Sequence, residues 1–329
     1  MRGFVRLAVF GIAAGLAAAG GAAYGQNLAQ GWPQKQITFI VPFAPGGGTD
    51  AFARPLAAQL DTQLGQRIII ENRAGAGGTV GASAAAKAAP DGYTLFVGAA
   101  HHAIAPALYP RLDYDIEKDF VPIGLVSLPP QVIVVNPGKV AAKTLKELVD
   151  FARANPDKLN YASAGGGTTH HLAGELFKNL TGTRITHVPY RGAGPAMQDL
   201  VAGHIEMEFD GLGSSAPHIA SGALRALAVA APVRSRAFPD VPTAVEAGVA
   251  GYEVSTWYGL FAPKGTSADV VARVTKELRA ALQTGLIKEV WDKNGSDVPD
   301  MYGADFGKFV SAEVTRWGKV VQDAGVKLD

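Results

Sequence analysis

The chain alternates short β-branched runs with longer segments in which apolar residues recur at helical spacing. Ile37–Val41, Arg67–Glu71 and Tyr93–Val97 predict buried strands, and Asp50–Leu64 and Val80–Ala89 predict the helices between them. A repeated order of strand, loop and helix is typical of a doubly wound, mostly parallel α/β sheet. The first part of the chain therefore predicts one such sheet flanked by helices.

A second series of strands and helices begins near Gln131. Its predicted strands are Val132–Val135, Leu159–Ser163, Ile185–Tyr190, Ile205–Asp210 and Leu224–Ala230. Thr144–Glu147 and Thr243–Glu246 have the spacing of capping boxes, the first of which opens a predicted helix. The late helical segments, Val270–Leu282 and about Asp305–Asp323, bring no further strand series, so we expect them to cover a sheet that is already formed.

These two series predict two lobes, of which the first is discontinuous. We expect lobe 1 to comprise residues 32–128 and 253–329, and lobe 2 to comprise residues 129–252. Both crossings between the lobes, Val121–Val135 and Glu253–Ala262, are predicted to be extended. Two such crossings make a two-segment hinge, which suits a protein that closes on a ligand.

Composition narrows the classes of function. Of the 329 residues, 48% are hydrophobic and 18% are charged, which excludes wholesale disorder. The formal net charge of +1 gives no electrostatic footprint for nucleic acid. The absence of cysteine from the sequence excludes disulfides, thiolate metal sites and cysteine nucleophiles.

The first 25 residues predict a secretory signal. Arg2 and Arg6 form a basic start, and Leu7–Ala23 is an apolar stretch followed by small residues around Tyr24. A membrane anchor is the alternative, but this weakly hydrophobic stretch is shorter than the ~20 residues that a membrane helix needs. We therefore expect export, with cleavage near Gly25.

Three glycine-rich loops each follow a predicted strand and precede a helix: Pro42–Asp50, Asn72–Thr79 and Ser163–Thr169. Free backbone N–H groups at a helix start form an anion site without any lysine. The alternative is that the glycines only permit tight turns. Triple glycines at equivalent places in both lobes favour an anion held between them.

Motifs for catalysis, nucleotides and metals are missing from the sequence. Neither triple-glycine loop contains the lysine of a P-loop, and Gly75–Gly81 matches the dinucleotide fingerprint poorly. Gly-x-Ser-x-Gly and His-Glu-x-x-His do not occur, and no His, Asp or Glu cluster has metal-ligand spacing. We therefore expect no catalytic residue, no cofactor and no metal.

Two adjacent histidine pairs, His101-His102 and His170-His171, follow loops of the two lobes. Neighbouring side chains point in different directions, so at most one of each pair can face a common site. One hypothesis is that His101 and His170 hydrogen-bond a carboxylate across the cleft. The other is that each histidine is satisfied by nearby backbone.

Two acids and three aromatic residues also have two interpretations each. Asp50 is most simply a carboxylate favoured by a helix dipole, and Asp210 either orients a donor or water or caps the next helix. Phe43, Tyr190 and Trp257 are candidates for the walls of a pocket, with core packing as the alternative, above all for Trp257.

The sequence resembles the Bug (TctC-like) substrate-binding proteins of tripartite tricarboxylate transporters. The resemblance covers about residues 32 to 329 and is carried by Trp32–Pro33, Val41–Asp50, Glu71–Gly78, Ala89–Leu95, His171–Leu176, Val188–Gly192 and Pro239–Thr243. This many motifs in one order make the resemblance specific.

The resemblance implies a two-lobed periplasmic binding protein of type II that holds a small organic acid and has no catalysis. Carried to matching positions, its implied ligand-binding residues are Phe43, Ala44, Gly47, Gly48, Thr49, Asp50, His101, Ser163, Ala164, Thr168 and Asp210. His170 departs from the common pattern and, with His101, suggests a second carboxylate, such as that of an aromatic diacid.

The implied partners are the small acid and the membrane permease subunits of a tripartite transporter, with no nucleic acid. A monomer is expected. Two other functions stay open at this point: an exported α/β enzyme that acts on a small carboxylate, and a sensor that presents its closed form to a membrane receptor.

Overall fold

A computed structural model describes residues 31–324, which form two five-stranded sheets flanked by helices. The predicted signal segment lies outside the described residues. The strands are β1 (Ile37–Val41), β2 (Ile68–Asn72), β3 (Thr94–Ala99), β4 (Phe120–Ser127), β5 (Gln131–Val135), β6 (Asn160–Ser163), β7 (Thr186–Pro189), β8 (Met207–Gly211), β9 (Arg225–Val229) and β10 (Tyr258–Pro263). The first sheet has the order β2-β1-β3-β10-β4, and the second has the order β7-β6-β8-β5-β9.

The helices follow the strands in the order that the sequence predicts. They are α1 (Gly48–Leu64), α2 (Thr79–Ala86), α3 (Ala100–Leu108), α4 (Leu145–Ala154), α5 (Thr169–Thr181), α6 (Ala193–Ala202), α7 (Leu212–Ala220), α8 (Ala268–Leu282), α9 (Gly285–Lys293) and α10 (Gly303–Ala324), with a 3₁₀ turn at Ala76–Gly78. Serine and threonine caps start several of them. Ser267 accepts a hydrogen bond from Val270 N and so begins α8.

One antiparallel strand interrupts each otherwise parallel sheet. In the first sheet β10 runs against β3 and β4, so that Leu260 lies between Val97 and Gly124. In the second, β5 runs against β8 and β9, and Ile133 lies between Phe209 and Ala228. The mostly parallel, doubly wound fold is confirmed. The antiparallel strands are the ones that follow the two crossings between the sheets.

The two crossings are paired with each other. Pro130 and Ser255 form an isolated antiparallel bridge, Gln131 N donates to Val254 O at 3.0 Å, and Thr256 N donates to Pro129 O at 3.2 Å. The predicted limits of the lobes, 128/129 and 252/253, fall at these paired segments and stay predictions as limits of folding units. We use lobe 1 and lobe 2 for the parts that carry the first and the second sheet.

The capping box at Thr243 closes but does not start a helix. Thr243 N donates to Glu246 Oε2 at 2.8 Å, and Glu246 N donates to Thr243 Oγ1 at 3.1 Å. Residues 244–248 form only a turn, because the chain reaches a left-handed conformation at Gly248, where φ is +93°. The equivalent box at Thr144 does begin a helix, α4.

Candidate functional site

The first and third glycine-rich loops each contact the other lobe. Ala44 N in lobe 1 donates to Arg191 O in lobe 2 at 3.4 Å. Tyr109 Oη donates to Gly166 O at 3.1 Å. These contacts join the carboxyl ends of strands from both sheets, which is where ligands bind in open α/β folds.

A cavity of about 170 Å³ lies between these loops. It is lined by Phe43, residues 75–78, Tyr109, residues 164–166 and residues 189–191. The backbone of the second glycine-rich loop faces it in left-handed conformations, with φ of +60° at Gly77 and +93° at Gly78. Two candidates from the sequence, Phe43 and Ala164, and the aromatic candidate Tyr190 therefore line this cavity.

The start of α1 packs closely against both lobes. A Cβ atom at Gly48 would overlap the hydroxyl group of Tyr258, and one at Gly47 would lie 3.3 Å from Gly194 N in lobe 2. Thr49 is buried beside them. The glycines thus permit a close approach of the lobes, but neither of them lines the described cavity.

Asp50 is bonded within lobe 1. Its carboxylate accepts hydrogen bonds from Arg54 Nε at 2.7 Å and Nη2 at 2.9 Å, from Asn72 Nδ2 at 3.1 Å and from Gly46 N at 3.1 Å. Asn72 Nδ2 also donates to Phe43 O at 2.9 Å. The side chain therefore fixes the first glycine-rich loop to the second.

His101 lies at the lobe interface. Its Nδ1 accepts a hydrogen bond from Thr169 N of lobe 2 at 3.1 Å, and its ring makes edge contacts with Phe43 and His170, with centroids 5.0 and 5.8 Å away. Burial, with smaller effects of His170 and His102, lowers the pKa of His101 well below its usual range. The ring is therefore a neutral acceptor that joins the lobes.

The second histidine of each pair packs inside its own lobe. His102 Nδ1 accepts from Ala99 N at 2.9 Å, and burial lowers the pKa of His102 to about 4. His171 stacks on His187 at 4.1 Å, and its Nδ1 accepts from Gly167 N at 3.2 Å. His101 and His170 are thus the members of the pairs that meet across the interface.

Ser163 and Thr168 organise the triple-glycine loop of lobe 2. Ser163 Oγ lies 2.6 Å from His187 Nε2 and accepts from Gly165 N at 3.1 Å. Thr168 Oγ1 donates to Gly165 O at 2.7 Å and accepts from His171 N at 3.4 Å, which caps α5. Both hydroxyls are engaged within the loop.

A buried triad of His170, Glu208 and Asp210 lies beside this loop. His170 Nδ1 is 3.5 Å from Glu208 Oε1 and 3.7 Å from Asp210 Oδ1. Among residues 31–324, neither His170 Nδ1 nor either Glu208 oxygen has a hydrogen-bond partner. Ser214 Oγ contacts both Asp210 oxygens, at 2.8 and 2.7 Å.

The titration of the triad is strongly perturbed. Burial raises the pKa of Glu208 to about 8, and burial together with the Glu208 charge raises that of Asp210 to about 7. Burial lowers the pKa of His170. Within residues 31–324 this is the group of three whose potential metal-ligand atoms lie within 4.8 Å of one another.

Sequence reasoning singled out His170 and Asp210 but missed Glu208. The available signal was an acidic residue inside a buried strand, two positions before Asp210, and hence on the same face of β8. Trp257 is the reverse case: it is 1% exposed and its Nε1 donates to Glu313 at 3.0 Å in the core, so it does not wall the cleft.

A larger groove of about 630 Å³ lies on the hinge side, beside Pro130, Arg234 and Ser255. None of the three glycine-rich loops reaches it. No helix within residues 31–324 is long and apolar enough to span a membrane.

Comparison with known proteins identifies the family. The sequence profile described as "Tripartite tricarboxylate transporter family receptor", TctC, matches residues 52–326. The chain belongs to this family. It is a family of periplasmic solute-binding receptors, as the motifs of the sequence predict.

Solved structures of relatives share the whole fold. The periplasmic binding protein BugD is 35% identical, with a TM-score of 0.87 over 90% of this chain and 99% of BugD. An R. palustris protein solved with adipate is 36% identical, with a TM-score of 0.86 and coverage of 90% and 99%. MatC from Rhodopseudomonas palustris, solved with malate, is 38% identical, with a TM-score of 0.83 and coverage of 88% and 100%.

Proposed function

We propose that this TctC-family receptor captures a small dicarboxylic acid between its lobes and delivers it to the permease of a tripartite transporter. The observation that carries the proposal is the convergence of glycine-rich loops from both lobes on one cavity. The adipate and malate bound by two relatives support a dicarboxylate.

Recognition of the acid would rest on backbone groups. Of the residues that the structure describes, no lysine lines the cavity, and Arg191 is the one that brings a cationic side chain to it. N–H groups of tight glycine turns form anion-binding concavities without net charge. A volume of about 170 Å³ is below the ~300–1,000 Å³ of pockets for drug-sized ligands, which favours a small acid.

The site residues fall into two proposed roles. Phe43, Ala44 and Ala164 would contact the acid, whereas Asp50, Ser163 and Thr168 would shape the loops through the bonds described above. Gly47 and Gly48 would let the start of α1, with the buried Thr49, pack closely against Gly194 and Tyr258. His101 would stabilise the closed form through Thr169, and His170 and Asp210 form a separate polar group beside it.

Closure of the lobes is the signal that we propose the permease recognises. A ligand that contacts both lobes binds the closed form more tightly than an open one, and so shifts the equilibrium toward the closed form. We further propose that the chain works in the periplasm as a monomer, without a cofactor and without catalysis, after cleavage of its signal near Gly25.

A thermal-shift screen of residues 26–329 tests the proposal after unfolding and refolding have removed any carried-over ligand. The panel holds adipate, malate, tricarboxylates, monocarboxylates, aromatic acids and amino acids. A ligand at 100 times its Kd adds about 2.7 kcal/mol of stability, which raises the Tm by several degrees. Dicarboxylates are expected to raise it most. No shift with any acid, together with turnover of a test substrate, would favour the enzyme instead.

A further inference from the structure

The buried triad of His170, Glu208 and Asp210 combines two carboxyl groups and one imidazole where none of the three is more than 2% exposed. Buried carboxylates are normally paired or coordinated, because removing a charge from water is costly. Here both oxygens of Glu208 and the facing nitrogen of His170 lack hydrogen-bond partners within the part of the chain that the structure describes. The three groups therefore lie close together without forming hydrogen bonds to one another.

The spacing of these atoms distinguishes between possible occupants. A metal with ligand bonds of roughly 2.0–2.2 Å holds neighbouring donor atoms about 3.3–3.8 Å apart. An ammonium group that donates hydrogen bonds of about 2.8 Å would need acceptors about 4.5 Å apart. The observed separations from His170 Nδ1, 3.5 Å to Glu208 Oε1 and 3.7 Å to Asp210 Oδ1, fall in the range for a metal, and all three donor atoms lie within 4.8 Å of one another.

We propose that His170, Glu208 and Asp210 form a binding site for one divalent transition-metal cation at the lobe interface. One imidazole and two carboxylates suit Zn²⁺, Mn²⁺ or Fe²⁺ rather than a soft ion. A divalent cation also neutralises the two carboxylates, which removes the cost of burying them as a like-charged pair.

The surroundings of the triad fit a metal site in two further respects. Ser214 Oγ holds both oxygens of Asp210, and such outer contacts orient metal ligands. The triad also lies against lobe 1, because the His101 ring contacts that of His170. Three protein ligands leave a coordination position open.

A metal-binding measurement on residues 26–329 tests the site. The protein is first stripped of metal with a chelator, and the chelator is then removed. The protein is titrated with Zn²⁺, Mn²⁺ and Co²⁺ in the absence of any acid, and bound metal is counted by elemental analysis after gel filtration. We expect one ion per chain. Outer-shell changes cost about 10–100-fold in metal affinity, so Glu208→Gln and Asp210→Asn, which remove ligands, should cost at least that much. The matched control Glu289→Gln removes one charge from exposed α9 and should change nothing.

The site would be overturned by no saturable binding of any of the three metals, or by binding that Glu208→Gln and Asp210→Asn leave intact. A second measurement uses only the wild-type protein. X-ray absorption spectra of the zinc-loaded protein, recorded at the zinc edge, should show one imidazole and oxygen donors as ligands of the ion. Several imidazoles would place the ion on surface histidines and reject the triad. Because no acid is present, a failure here is separate from a failure of the acid screen.

Discussion

Histidine has two distinct uses in this protein, and the difference depends on single hydrogen bonds. His101 accepts a backbone N–H from the other lobe, so its bond joins the two lobes and would be lost if they opened. His102, the next residue, holds the N–H of Ala99 in its own lobe. Both rings are buried and neutral, since burial lowers the pKa of each. One ring thus contributes to closure and its neighbour to the fold of lobe 1.

Replacing His101 with alanine should weaken acid binding while leaving each lobe folded. The change leaves the buried N–H of Thr169 without its acceptor in the closed form, which costs about 1–3 kcal/mol or roughly 5–150-fold in affinity. Calorimetric titration with the acid found in the screen measures the loss. His204→Ala, at an exposed position, is the control. Unchanged affinity of His101→Ala would show that this bond does not support closure.

The contribution of His102 to stability should decrease as the solution is acidified below about pH 6.5. The folded-state pKa of His102 is lowered to about 4 from 6.5, so the unfolded chain binds more protons in this window and folding weakens as the pH falls through it. For this fully buried ring the loss is about 2 kcal/mol at pH 5. Urea unfolding between pH 7 and pH 5 measures it.

His102→Gln separates titration from packing in that experiment. Glutamine at the third position of a helix can reach the same N–H of Ala99, as in a capping box, but it does not titrate. Between pH 7 and pH 5 the unfolding free energy of the variant should fall by about 2 kcal/mol less than that of wild type, whereas His204→Gln should keep the wild-type profile. Equal slopes for all three proteins would mean that other groups cause the acid sensitivity.

At the scale of elements, the cleft is built from helix starts and the loops before them. Thr168 caps α5 and also holds Gly165 O. Thr144 caps α4 through Glu147 N at 3.2 Å, and it lies outside the residues that line the cavity. Both threonines therefore cap a helix, but only Thr168 belongs to a loop that lines the cavity.

Thr168→Ala and Thr144→Ala should lower stability alike but affect binding differently. Loss of an N-cap costs about 0.5–2 kcal/mol, so both variants should unfold at lower urea concentration. Thr168→Ala alone should also weaken acid affinity, because the triple-glycine loop loses its bond to Gly165 O. A parallel loss of affinity in Thr144→Ala would attribute the effect to general destabilisation.

At the scale of the whole molecule, small residues allow the lobes to touch backbone to backbone. Gly194 at the start of α6 faces the first glycine-rich loop, and a Cβ atom there would overlap the carbonyl group of Pro45 in the other lobe. The paired crossings at Pro130 and Ser255 connect the lobes away from this contact. Closure therefore depends on surfaces that neither lobe needs for its own fold.

Gly194→Ala should keep the lobes apart. Alanine is favoured over glycine within a helix by about 1 kcal/mol, so any loss is due to the clash with Pro45. We expect acid affinity to fall at least about tenfold, since the competent closed state becomes rare, and small-angle scattering to show no compaction with the acid. The control Gly318→Ala lies in α10 with open space around it. Compaction equal to that of wild type would contradict this account of closure.

The sequence by itself determined most of the alternation of strands and helices and the family, because these depend on local periodicity and on motifs that lie close in the chain, whereas the discontinuous first lobe stays a prediction. Tertiary structure decided which loops line the cavity, that His101 meets Thr169, and that Glu208 joins His170 and Asp210. Local pattern likewise could not show that the box at Thr243 ends after one turn. Such contacts join segments far apart in sequence, and their partners are fixed only when two sheets and their helices pack at specific distances.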